Sequence, residues 1–194
     1  MDDLTTLLED IRACRHCEKY LPLGPRPIIR AQTSARILLI GQAPGTKVHA
    51  SGIPWNDASG DRLRLWMGLD RETFYDESRV AIMPMGFCYP GKGQSGDLPP
   101  RPECAPLWHD RVMAHLPNLE LILLVGSYAI HYYLKSGKKQ TLTDSVRNWR
   151  DAPSPYLPLP HPSPRNIAWF KRNPWMDNEL IPYMKGRVGA LLGP

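Results

Sequence analysis

Three short, uninterrupted apolar runs constrain this chain more than any other feature. They are the ILLI of 35–45 (ARILLIGQAPG), the VAI of Arg79–Pro84 (RVAIMP) and the LILLV of 119–126 (LELILLVG), each followed closely by glycine or proline. Runs this short are not helices, and they lack the polar alternation of a half-exposed strand, so each reads as a strand buried on both faces. Such strands need helices above and below them. The chain supplies these: Leu4, Leu7, Leu8 and Ile11 recur at helical spacing within 2–13, segments 59–68 and 106–115 read as helices, 127–135 has helical spacing, and one more helix lies beyond Pro174. With a fourth strand at Tyr156–Leu159, the expectation is an α/β fold: a three-layer α/β/α arrangement with a central, mostly parallel four-stranded sheet. There is no internal repeat and no domain boundary, so residues 1–194 are expected to form one domain.

Composition narrows the function. Proline, at 21 of 194 residues, runs at twice the usual ~5% and predicts long, stiff, ordered loops. A formal charge of +5 is compatible with a polyanionic partner. The longest apolar run is far short of the ~20 residues that span a bilayer, so no membrane partner is expected. The N-terminus is acidic and has no signal-peptide pattern, which makes a cytoplasmic, reducing location the expectation and disulfides unexpected. In parallel sheets ligands bind beyond the carboxyl ends of the strands. Three predicted strands end there in unusual loops, GQAPG, PGKGQSGDLPPR and HPSPRN, which are expected to converge on one mouth.

Gly41-Gln42-Ala43-Pro44-Gly45 after the first strand, paired with His161-Pro162-Ser163-Pro164 after the last, resembles the two signature motifs of the uracil-DNA glycosylase superfamily. The intervening PWNDASGDRLR resembles the superfamily segment that carries a base-stacking aromatic residue, and LILLVG resembles its penultimate core strand. Cys14-x2-Cys17 followed by Cys88-x15-Cys104 resembles the thiolate pattern of the iron-sulfur members, families 4 and 5, which hold a 4Fe-4S cluster. On chemistry alone four thiolates also suit zinc, or are free buried thiols that bind no metal. The chain looks most similar to a less characterised branch with the pattern GQAPG, SGDLPPR and HPSPRN.

The resemblance implies a DNA glycosylase: a monomer that flips a deaminated or damaged base, uracil or a relative of it, out of DNA and hydrolyses its N-glycosidic bond. It implies that Trp55 stacks on that base, that His161 donates a hydrogen bond to the departing base, and that the backbone of Gly41, Ala43, Pro44 and Gly45 lies close to the base and the attacking water. Ser163, Pro164, Arg165 and Asn166 correspond to the loop that presses into DNA, with Arg165 in place of an apolar wedge. Lys47, Lys92, Arg101 and Lys171 lie in or beside the mouth loops and are phosphate-binding candidates.

Two positions depart from the family pattern. Gln42 stands where an acidic residue is common, and an amide orients water without accepting its proton. Asp57 and Asp61 are the nearest acidic substitutes, although Asp57 also suits a helix cap. Pro84 stands where an asparagine amide usually reads uracil, and it has neither a side-chain amide nor an N–H. Tyr89, Ser95, Asp97 and Asn166 are then candidate base-reading groups. The rival reading is a catalytically weak or inactive DNA- or nucleotide-binding protein on the same fold.

Overall fold

The ILLI run forms the central strand β1 (Ile37–Ile40) in a computed structural model that describes residues 3–135 and 140–193. With β2 (Val80–Ile82), β3 (Leu121–Val125) and β4 (Tyr156–Leu159) it makes a sheet of order β2-β1-β3-β4. Every pairing is parallel, with Leu38 opposite both Ala81 and Ile122, and Leu123 opposite Leu157. The sheet is therefore wholly rather than mostly parallel. Side chains of β1, β2 and β3 are buried throughout, as strands covered on both faces require. Each fully buried leucine or isoleucine contributes about 1.5–3 kcal/mol, which makes this sheet the principal apolar core.

In chain order the helices are α1 (Leu4–Arg12), α2 (Thr46–Ser51), α3 (Ala58–Met67), α4 (Arg71–Tyr75), α5 (Cys104–Ala114), α6 (Ser127–Leu134), α7 (Leu142–Arg147), α8 (Ile167–Arg172) and α9 (Ile181–Leu192). They flank the sheet to give the three-layer α/β/α arrangement. α1 starts at Asp3, whose carboxylate accepts from the Thr6 N–H at 2.8 Å, and its predicted stripe of Leu4, Leu7, Leu8 and Ile11 is buried. Asp2, from which the sequence begins that helix, lies outside the described residues. α1 packs on α5, α3 on α9, and α6 on β3.

Four short helices escape the sequence reading: α2, α4, α7 and α8. Caps rather than apolar stripes define two of them. Asp70 accepts from the Thr73 N–H at the start of α4, and Thr141 and Asp144 form a reciprocal capping box on α7. Beyond Pro174 the expected helix is present, but a π-helical turn (Met176–Leu180) leads into it. Among the described residues no helix is long and apolar enough to cross a membrane.

Candidate functional site

A parallel sheet puts all its carboxyl ends on one edge, and the loops that leave β1, β2 and β4 meet there. They enclose a cleft of about 470 Å³, open at its mouth and lined by Gly41–Gly45, Pro54, Trp55, Asp57, Pro84 and His161, with Ile28, Val48 and Ile82 as apolar backing. The fold thus gathers Gly41, Gln42, Ala43, Pro44, Gly45, Trp55, Asp57, Pro84 and His161 into one site, and leaves Asp61, Tyr89, Ser95, Asp97 and Asn166 outside its lining.

Trp55 is the most constrained of them. Its backbone adopts φ 57°, a left-handed conformation that is rare for a bulky residue and concentrates at functional sites. Two glycines make room for it. A Cβ on Gly41 would lie 2.6 Å from the indole, and a Cβ on Gly60 would lie 1.7 Å from the Trp55 carbonyl oxygen. Two braces hold the turn. The buried Arg64 guanidinium donates to the Trp55 carbonyl at 3.2 Å, and the Tyr75 hydroxyl donates to the Pro54 carbonyl at 2.7 Å. Sequence reasoning missed both braces. The indole sits 5.6 Å from the His161 ring, tilted by 31°.

His161 has a defined proton. Its Nδ1 accepts the Ser163 N–H at 3.2 Å, which leaves the hydrogen of the neutral ring on Nε2. Burial pushes the His161 pKa below its usual range, while Asp57 pulls it partly back, so the ring is neutral near pH 7. It is therefore a hydrogen-bond donor through Nε2. Asp57 caps α3 by accepting the Gly60 N–H at 2.9 Å and also faces the cleft. Asp61 does not share the site, for it is exposed and paired with Arg64 at 2.5 Å.

The two departures from the family pattern have structural partners. The Gln42 amide donates out of the cleft, to the Leu98 carbonyl at 3.3 Å. The Pro84 carbonyl accepts from His109 Nε2 at 3.1 Å, and His109 Nδ1 in turn accepts from the Tyr133 hydroxyl at 2.6 Å. Burial drives the His109 pKa down to about 4, which fixes a neutral ring. Pro84 consequently presents only apolar surface to the cleft.

The DNA-contact candidates divide. Arg165 and Pro164 are exposed at the mouth; Ser163 accepts the Arg165 N–H, and Asn166 donates to the His161 carbonyl at 2.9 Å as a loop brace. Arg62, another missed brace, stacks on Phe170 at 5.1 Å and donates to the Pro162 and Ser163 carbonyls. Lys47, Lys92 and Lys171 are exposed. Tyr89 is buried and lies outside the cleft lining. Arg101 is set apart from the mouth, because the 89–103 loop folds back and pairs it with Glu103 at 2.6 Å beside the cysteines.

Cys14, Cys17, Cys88 and Cys104 line a second, smaller cavity of about 360 Å³. All four are free thiols. The Phe87 N–H donates to Cys104 Sγ at 3.3 Å. Burial pushes the Cys88 thiol up to about 11 and that of Cys104 to about 12. Among the described residues no three His, Cys, Asp or Glu side chains are grouped closely enough to hold a metal ion. Four cysteines lining one cavity, with a backbone N–H donating to one sulfur, are donors of the type that a thiolate-bound metal centre uses.

A glycine- and proline-bearing turn after β1, a neutral histidine donor after β4 and the Trp55 indole between them thus share one cleft at the carboxyl edge of a parallel sheet. The family model of the uracil DNA glycosylase superfamily matches residues 30–185, and the chain belongs to that superfamily. Its members are generally DNA-acting hydrolases of N-glycosidic bonds.

Proposed function

We propose that this protein is a DNA glycosylase of the iron-sulfur branch of the superfamily, acting on a deaminated or damaged base flipped into the Trp55–Gly41 cleft. The observation that carries this reading is the His161 tautomer. As the glycosidic bond breaks, its electron pair leaves with the base, and a neutral Nε2–H donor aimed into a partly desolvated cleft stabilises that negative charge. Trp55 supplies the stacking face, and the Gly41–Gly45 turn lets backbone groups approach the base edge and the water. Because Pro84 offers no polar group, recognition rests on the turn and on His161, which favours a base other than plain uracil. Arg165, Ser163 and Lys47 contact phosphate.

Cys14, Cys17, Cys88 and Cys104 are the residues that would hold the 4Fe-4S cluster, whose chemistry here is to cross-link α1 to the start of α5 and the loop before it. The chain's own residues perform the reaction.

Single-turnover cleavage of single- and double-stranded oligonucleotides carrying uracil, hypoxanthine, xanthine or alkylated bases tests the proposal. Excision of one of them, abolished in His161→Ala, supports it. Silence across the panel with DNA binding intact favours the rival, a binding protein on this fold, for which the outward-turned Gln42 and the apolar Pro84 already speak.

A further inference from the structure

The part of the mouth that the family motifs leave unexplained is the hairpin Gly91–Leu98. Lys92 and Asp97 pair across it as an antiparallel bridge, closed by hydrogen bonds from Gly93 N to Gly96 O at 2.6 Å and from Leu98 N to Gly91 O at 2.8 Å. Two side chains from the signature loops tie it down. The Gln42 amide holds the Leu98 carbonyl at 3.3 Å, and the Arg165 guanidinium reaches the Ser95 carbonyl at 3.5 Å. So fastened, the hairpin sets the Asp97 carboxylate against Gly45, where Oδ2 lies 3.4 Å from the place a Cβ would occupy.

Glycoside cleavage separates two charges. Negative charge grows on the base, at the His161 end, and positive charge grows on the sugar, which stays at the mouth when the base fills the cleft. A carboxylate is useful only near the second. Asp57 lines the cleft together with His161, and one of its carboxylate oxygens accepts the Gly60 N–H, so it sits at the base end, toward the wrong charge. Gln42 carries none. The Asp97 carboxylate lies beside Gly45 at the rim and makes no hydrogen bond or ion pair among the described residues.

We infer that Asp97 faces the sugar of the flipped nucleotide and supplies the negative charge that position 42 lacks, Gln42 serving to seat the hairpin that carries it. This rests on the glycosylase reading above. In the reaction the C1′–N bond breaks with its electron pair leaving on the base, and water adds to C1′. The water's proton passes to the Asp97 carboxylate and then to the base anion, giving neutral base and an abasic sugar. Partial burial raises the Asp97 pKa, as suits a group that accepts a proton, while Arg165 and Lys92 favour its ionised form.

Binding to two abasic duplexes tests this without requiring turnover: one carries a pyrrolidine, cationic like the transition-state sugar, and the other a neutral tetrahydrofuran. The wild type is expected to prefer the cationic duplex by about tenfold or more. Asp97→Asn, which keeps the shape, loses that preference, and Asp97→Glu keeps part of it. Asp61→Asn, outside the cleft, leaves it unchanged. If an excised base has been found, Asp97→Asn lowers its single-turnover rate by about 10²-fold. No cationic preference in the wild type overturns the inference. So does a preference that survives Asp97→Asn, or one lost in Asp57→Asn instead. If the preference depends on Asp97 but no base is excised, the glycosylase reading fails while the charge assignment stands.

Discussion

The two cavities of this protein are built on opposite principles. Around the Trp55 cleft nearly every polar group has a partner: Arg64 and Tyr75 fix the Pro54–Trp55 turn, His109 and Tyr133 fix the Pro84 carbonyl, and Ser163 and Asn166 fix His161. Around the cysteine cavity the four cysteines line a largely apolar pocket with few hydrogen bonds, and burial disfavours the ionised forms of Cys17, Cys88 and Cys104. The first site is organised by the fold itself. The second, on the reading proposed above, would gain its organisation from a group that joins the thiolates, leaving the base cleft chemically independent of it.

The largest effect that would break this contrast comes from the thiols. Cys104→Ala is expected to abolish iron content and the visible absorbance of anaerobically purified protein, with a lowered Tm; full iron content in the variant would remove Cys104 from the ligand set. His161→Ala should leave the fold intact yet reduce excision by about 10²–10³-fold, the cost of losing one oxyanion donor. A melting curve close to that of wild type is the check that the cleft organises itself without it.

Acid tests the buried braces. An unfolded histidine titrates near 6.5 and His109 in the fold only near 4, so between these values the unfolded chain binds the extra proton. Stability therefore falls as pH drops from about 6.5 towards 4, by on the order of 3 kcal/mol from this group. Denaturant midpoints across that range should show the loss, and His109→Gln should flatten it. Gly60→Ala, which would put a methyl 1.7 Å from the Trp55 carbonyl oxygen, a backbone atom that cannot swing aside, is expected to cost about 3 kcal/mol or more. Urea unfolding measures it; an unchanged midpoint would mean that the Trp55 turn is not held as described.

The sheet was legible because burial on both faces leaves unbroken apolar runs, and Ile37–Ile40 cannot be read otherwise. α4 and α7 were not, since five or six residues carry too little periodicity and their capping pairs, Asp70 with Thr73 and Thr141 with Asp144, are common in loops as well. In the site, the motif residues Gln42, Trp55 and His161 announced themselves. Their supports did not: Arg64 reaches Trp55 across nine residues and His109 reaches Pro84 across 25, through contacts that exist only once the layers have packed. Arg101 illustrates the reverse error, a basic residue in a mouth loop that folds back toward the cysteines.

One feature of the sheet bears on how this chain behaves in company. The carbonyls of Pro155 and Leu159 bond to β3, so Pro158 between them turns outward and offers no N–H to a neighbour. At the other rim Arg30 pairs with Ile82 in both directions and covers the outer side of β2. An added strand from a second molecule finds a missing donor on one side and an occupied ladder on the other. Both rims of the sheet are thus blunted against the edge-to-edge strand pairing by which sheets polymerise.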